Sequence, residues 1–216
     1  MARISSVLFL NWITATMCYY GLTMLSVNLT DDIYLSFVLS ALIEIPSYIF
    51  CVLLMDHMGR KPILVFCQLL AGSTCIVAAF LDEDSTGAIT AFTLAGKFGA
   101  SSAFAIIYLY TAELYPTVIR NTALGTASML ARIGGILAPL LASLKLPTPL
   151  IIMGGSALLA GVLAVFLPET LGSSLPETIH EVSLNFCFLR CFLSARSSWS
   201  RFYNFVFSSC CSCFTI

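Results

Sequence analysis

The 216 residues are 59% hydrophobic and only 10% charged, with a mean hydropathy of +0.96. A water-soluble domain carries about 25% charged residues, so this composition excludes one and names lipid as the solvent. Ten Lys and Arg against eleven Asp and Glu leave a net charge of −1, with no basic excess for nucleic acid.

Six apolar runs follow one another at 4–27, 33–55, 62–81, 88–112, 121–144 and 148–167. Each is about 20–25 residues, enough to cross roughly 30 Å of hydrocarbon at 1.5 Å per residue. They predict an all-α membrane protein, a six-transmembrane-helix bundle spanning residues 1–183. The first run starts almost at Met1 and is too long for a signal-peptide core, so it reads as a retained span.

The connections set the orientation. Asn28–Asp32 is short and acidic, Asp56 to Pro62 is basic, Asp82 to Gly87 is acidic, and Glu113 to Asn121 contains Arg120. Lys and Arg favour cytoplasmic loops, which places Arg60, Lys61, Arg120 and both chain ends inside; Lys145 dissents. The sequon Asn28-Leu29-Thr30 lies against the membrane and is expected to stay unmodified. After Pro168-Glu169-Thr170 the chain turns polar, and 184–216 reads as an irregular cytoplasmic tail ending in a Cys-rich stretch. Palmitoylation of those Cys residues is the functional alternative. Of the nine Cys, Cys18, Cys51, Cys67 and Cys75 fall in apolar runs, where the residue acts as a small hydrophobe. No CxxC pair or His cluster suggests a metal, and no cofactor is expected.

Three ionisable residues sit deep in the spans: Glu44 in the second, Lys97 in the fourth and Arg132 in the fifth. Each lies about 14–17 Å from an interface. A charge at that depth costs on the order of 3 kcal/mol on insertion scales, and transporters place their substrate sites there. A Glu44–Lys97 bridge holding helices together accounts for two of the three and leaves one positive charge over. Arg132 is the candidate for that charge, binding a carboxylate through its planar fork of donors. Tyr48, one turn from Glu44, joins the candidate substrate site. Pro46 and Pro139 interrupt the second and fifth spans, and Gly96, Gly99, Gly134 and Gly135 permit close helix packing.

Three loop motifs carry a resemblance. Asp56-His57-Met58-Gly59-Arg60-Lys61 resembles the D-x-x-G-R-[KR] loop of the major facilitator superfamily. Glu113-Leu114-Tyr115-Pro116 through Arg120 resembles its E-x-x-P-x-x-x-R loop, and Pro168-Glu169-Thr170 its P-E-[ST]. Gly96-Lys97-Phe98-Gly99, Tyr108 to Thr117, Glu44-Ile45-Pro46 and Leu167 to Gly172 are similar to the organic cation, organic anion and carnitine transporters, above all the carnitine branch. The resemblance covers residues 5–183.

It implies a secondary carrier of small organic ions working by alternating access, in the plasma membrane. The expected gating residues are Asp56, Gly59, Arg60, Lys61, Glu113, Pro116, Arg120 and Glu169. Arg132 stands where organic-anion and carnitine members tend to carry Arg, which favours zwitterions or anions. Members have two six-helix halves and this chain matches the second, so it reads as a truncated gene product, a fragment or a splice form that requires an N-terminal half. With no phosphate-binding G-x-x-x-x-G-K-[ST] loop, the drive would be the membrane potential or a coupling ion. The alternative is a non-transporting fragment that associates with full-length carriers. A membrane enzyme is disfavoured, because neither His57 nor His180 lies in a span.

Overall fold

The computed structural model describes residues 2–28, 33–81 and 86–170. The sequon loop, the acidic loop at 82–85, the tail and the Asp56 side chain lie outside the described residues. Among the described residues the structure is all-helical, with α1 (Ala2–Asn28), α2 (Ile33–Met58), α3 (Arg60–Ala79), α4 (Thr86–Leu114), α5 (Thr117–Ala142) and α6 (Thr148–Ala164). Four of these, α2 to α5, are long and apolar enough to cross a membrane. α6 is apolar but has 17 residues, and α1 has the length but carries Asn11, Thr14, Thr16 and Thr23 among its apolar side chains.

Four helices make the centre. α4 packs on α3 and α1, and α6 packs on the same two from the other side. α5 lies along α1, and α2 leans mainly on α4. In hydrocarbon no hydrophobic force drives helices together, so close van der Waals approach and interhelical hydrogen bonds must do it. The contacts show both.

Gly72 and Gly154 face each other across α3 and α6, where a Cβ on either would come within 3.0 Å of the other's carbonyl oxygen. Gly134 rests on the backbone carbonyl of Ile13, which sets the α1–α5 spacing. Gly99 does the same for α4 against the Cys67 carbonyl of α3, Gly96 meets the Thr74 and Cys75 side chains, and Gly135 has more room. In the core, Trp12 is fully buried and donates its Nε1–H to Thr111 Oγ1 at 2.9 Å. Its ring meets Tyr108 edge-on, with centroids 4.3 Å apart. The hydrogen bond satisfies the one polar atom that makes a buried Trp costly.

α2 is attached differently. Only 17% of its most apolar stretch is buried, against 61% for α4. The residues it does bury are small and polar: Ser36, Ser40, Ser47 and Cys51. That spacing runs along one face of a helix. Tyr34, Phe37, Leu42, Ile45, Ile49 and Leu53 point outward.

Candidate functional site

The polar stripe of α2 leads to the first of two charged clusters. Glu44 lies on it, and Lys97 of α4 reaches across to place Nζ 3.2 Å from Glu44 Oε1. Tyr19 of α1 donates its hydroxyl to the same oxygen at 3.0 Å, so one carboxylate joins three helices. Lys97 is only 1% exposed. Its ammonium also stands 6.0 Å from the centre of the Tyr19 ring, at the limit of a cation–π contact. A buried ammonium with a single carboxylate partner depends on that partner, because an unpaired charge in such a place is strongly destabilising.

One turn along both helices the seam continues. Ser47 Oγ lies 2.7 Å from both Ser101 Oγ and Ser102 Oγ and 3.2 Å from the Phe98 carbonyl. Cys51 Sγ reaches the Ser102 carbonyl at 3.5 Å. At the other end Ser26 and Ser40 hydroxyls join α1 to α2 at 2.9 Å.

Of the remaining candidate substrate residues, Tyr48 sits beside the pair, close to the Tyr19 hydroxyl and the Glu44 carboxylate, and Arg132 stands apart. Tyr48 is 41% exposed, one turn beyond Glu44 on α2. Arg132 is exposed on α5, on the side away from the buried Ala127, Ala131 and Gly134. No ion pair or hydrogen bond joins it to another described residue. A cavity of about 220 Å³ between Ala78, Ile89, Leu146 and Leu150 is lined by apolar residues and contains none of these groups.

The second cluster gathers most of the candidate gating residues. Arg60 opens α3 and bonds Glu113 Oε1 through Nη2 at 3.0 Å and Nε at 3.1 Å. Thr170 Oγ1 donates to the other carboxylate oxygen of Glu113 at 2.9 Å. Glu169 Oε1 accepts from the backbone N–H of Arg60 at 3.0 Å and of Lys61 at 3.5 Å. The first amides of a helix have no partner within it and carry its positive dipole end. Glu169 therefore caps α3 from over a hundred residues away, in place of a local side chain, since the N-cap is Gly59. Gly59 has φ +94° and ψ 164°, a conformation essentially restricted to glycine. A Cβ there would stand 2.8 Å from a Glu169 carboxylate oxygen.

Pro116 is the N-cap of α5, with φ −62° and ψ 153°. Arg120 lies one turn in, and its Nε and Nη2 are buried without a hydrogen-bond partner. The Tyr110 hydroxyl donates to the Pro168 carbonyl and Tyr115 bonds Ser5 Oγ at 2.8 Å, fastening the same end of the bundle.

Sequence reasoning did not find Tyr19, the Ser47–Ser101–Ser102 group or Thr170. Serines four and seven apart on α2 were the available signal for the second, because small polar residues at helical spacing mark a helix interface in lipid. Nothing in the local sequence pointed to Tyr19.

These features define a bundle of helices apolar enough to cross a membrane, with a charged seam through its middle and an ion-paired cluster at one end. Residues 4–216 match the Major Facilitator Superfamily, and the chain belongs to that family, whose members are multi-pass membrane transporters and not enzymes. It is 40% identical over 185 residues to solute carrier family 22 member 16 of Xenopus laevis, covering 84% of this chain and 33% of that protein. It is 38% identical to an organic cation transporter-like protein of Drosophila melanogaster, covering 83% of this chain and 32% of that one. To human organic cation/carnitine transporter 2 it is 36% identical, covering 84% and 33%. The chain thus spans about a third of the length of these relatives. A bacterial homologue of the human lysosomal transporter Spinster, solved inward-facing and unoccupied, shares the fold with a TM-score of 0.55 at 14% identity, covering 82% of this chain and 44% of that one.

Proposed function

We propose that this chain is the C-terminal six-helix half of a secondary carrier for small organic ions, and that its substrate presents a carboxylate to Arg132. The observation that carries the substrate class is the state of the three midplane charges. Glu44 is taken up by Lys97, which leaves Arg132 exposed and without a partner among the described residues. A cation attracted to Glu44 would have to displace Lys97 and strand a buried ammonium. An anion or the carboxylate of a zwitterion meets no such cost at Arg132, where a planar guanidinium offers two parallel donors.

The carnitine in the name of human organic cation/carnitine transporter 2 is a zwitterion of this kind. The Arg60–Glu113 pair and the Glu169 cap would form the cytoplasmic latch, with both chain ends on that side, in the plasma membrane. Alternating access would then rock this half against an N-terminal one, driven by the membrane potential, worth about 2.3 kcal/mol per charge per 100 mV, or by a coupling ion.

The test is uptake of labelled carnitine and of a cationic tracer in cells making this chain alone or joined to the N-terminal half of a relative. Carnitine uptake is expected in the joined form and is expected to fall at least about tenfold with Arg132→Ala, since a charged hydrogen bond is worth roughly 1.5–3 kcal/mol. The Arg132→Ala protein should insert and melt normally, as an exposed substitution shifts stability by about ±0.5 kcal/mol. Normal uptake by that variant would overturn the role of Arg132. Co-purification with a full-length carrier, without uptake in any form, would instead favour a non-transporting fragment.

A further inference from the structure

α6 is approached from two sides by helices that carry fully buried amides. Asn11 of α1 and Gln68 of α3 are each 0% exposed. Three of their polar atoms, Asn11 Oδ1, Gln68 Oε1 and Gln68 Nε2, have no hydrogen-bond partner among the described residues. Asn11 Nδ2 is satisfied within its own helix by the Val7 carbonyl. An unmet buried polar atom costs about 1–3 kcal/mol, and three in one region of a folded chain require a partner.

The contacts along α6 place these atoms at one level. Cys18 of α1 touches the Met153 carbonyl at 3.5 Å, and Cys75 of α3 lies 3.1 Å from where a Cβ on Gly154 would stand. One heptad towards the latch end, Gln68 occupies the position equivalent to Cys75, and a Cβ on Gly161 would meet its Cβ at 3.2 Å. Asn11 is the residue one heptad from Cys18 on the same face of α1, which brings it to the level of Ala160. At this level α6 buries Ala157, Ala160, Gly161 and Ala164. Those small side chains let α6 come close, with a Cβ on Gly161 only 3.1 Å from Leu69 and 3.2 Å from Gln68.

We propose that Asn11 and Gln68, beside the Ala160–Gly161 step of α6, enclose a buried hydration site for one or two water molecules. A buried water typically makes about three hydrogen bonds to otherwise unsatisfied groups. Here two carbonyl oxygens would accept from it and one amide N–H would donate to it. A direct amide–amide bond would use Asn11 Oδ1 and Gln68 Nε2 but leave Gln68 Oε1 unmet. A bare cation is a poorer fit, because hard cations take about six oxygens or more and the two side chains offer two. Water between α1, α3 and α6 would join the three helices by bonds that reform after a small shift, unlike interlocked apolar side chains.

The test is a double-mutant cycle on the full chain in lipid nanodiscs, with Asn11→Leu, Gln68→Leu and the double variant read by thermal melting. A shared water predicts that each single change lowers the midpoint by about 3–6 °C, because it strands the other amide and the water. The double change removes the whole polar site and should cost clearly less than the sum of the two. Additive shifts, or single changes that each raise the midpoint, would overturn the proposal. Melting of the unchanged chain in sodium and in choline medium should coincide, and stabilisation by sodium would overturn water in favour of an ion. A density map of the unchanged chain should show a peak within hydrogen-bond reach of both amides, whether or not the Leu variants fold, and its absence would refute the site.

Discussion

Gly59→Ala tests the latch, and its cost divides into two parts that can be measured separately. The backbone at Gly59 sits at φ +94° and ψ 164°, where a residue with a Cβ costs about 1–3 kcal/mol. The new Cβ would also stand 2.8 Å from Glu169 Oε1 and 2.9 Å from its carboxyl carbon. Glu169 would have to withdraw, giving up its bond to the Arg60 amide at 3.0 Å. A hydrogen bond to a charged group contributes about 1.5–3 kcal/mol, so the total is about 2.5–6 kcal/mol. For a chain of this size that is a midpoint shift of roughly 5–20 °C. In a Glu169→Ala background the carboxylate is already gone, and Gly59→Ala should then cost only the backbone share of about 1–3 kcal/mol. The assay is thermal melting of the four proteins of this cycle in one lipid. Equal costs in both backgrounds would refute the claim that Gly59 makes room for the Glu169 cap.

Glu44→Gln should destabilise by about 3–5 kcal/mol by stranding the buried Lys97 ammonium, and adding Lys97→Met should recover most of that loss; equal melting of the single and double variants would refute the pairing. Ser47→Ala removes the hydroxyl that meets Ser101, Ser102 and the Phe98 carbonyl. It should loosen α2 by about 0.6 kcal/mol, the average measured for interhelical hydrogen bonds in a membrane, and by no more than about 1.7 kcal/mol. Proteolysis at the ends of α2 should rise accordingly, and unchanged cleavage would refute a holding role for the seam.

The six helices were legible because lipid demands it. Every backbone group in hydrocarbon must be satisfied within its own segment, so each helix is written as one contiguous apolar run. Opposite charges at one depth made the Glu44–Lys97 contact legible too, since burial leaves an ion few choices but its counter-ion. The glycine of the D-x-x-G-R-[KR] loop marked a tight turn, and the structure makes it a single residue at φ +94° between α2 and α3. What could not be read were contacts set by tertiary placement. The Glu169 cap joins residues 109 apart, and no local pattern announces it. The Tyr19 hydroxyl was hidden for the same reason. The serine stripe of α2 was passed over for another: within an apolar run Ser36, Ser40 and Ser47 look like filler, because hydropathy averages erase which face a residue occupies. Asn11 and Gln68 were lost in the same averaging.

The division of burial among the helices bears on what covers the rest of the molecule. α3 and α4 bury half or more of their most apolar stretches, whereas α2 and α5 bury 17% and 22%. An open apolar face can meet lipid or another protein surface, and apolar residues alone do not distinguish the two. Arg132 does. It stands exposed on α5 near Ile133 and Ile136, which are also exposed, midway along a helix long enough to cross the membrane. Lipid at that depth would cost it several kcal/mol, and among the described residues no ion pair neutralises it. Glu44 and Tyr48 sit on α2, the other helix with an open face. The charged and phenolic groups thus ride on the two helices that the bundle covers least, while Lys97 is held in its interior. Such an arrangement suits faces turned towards water and a second helical half, with a polar space between them, and it supports the reading that this chain forms one wall of a transport path.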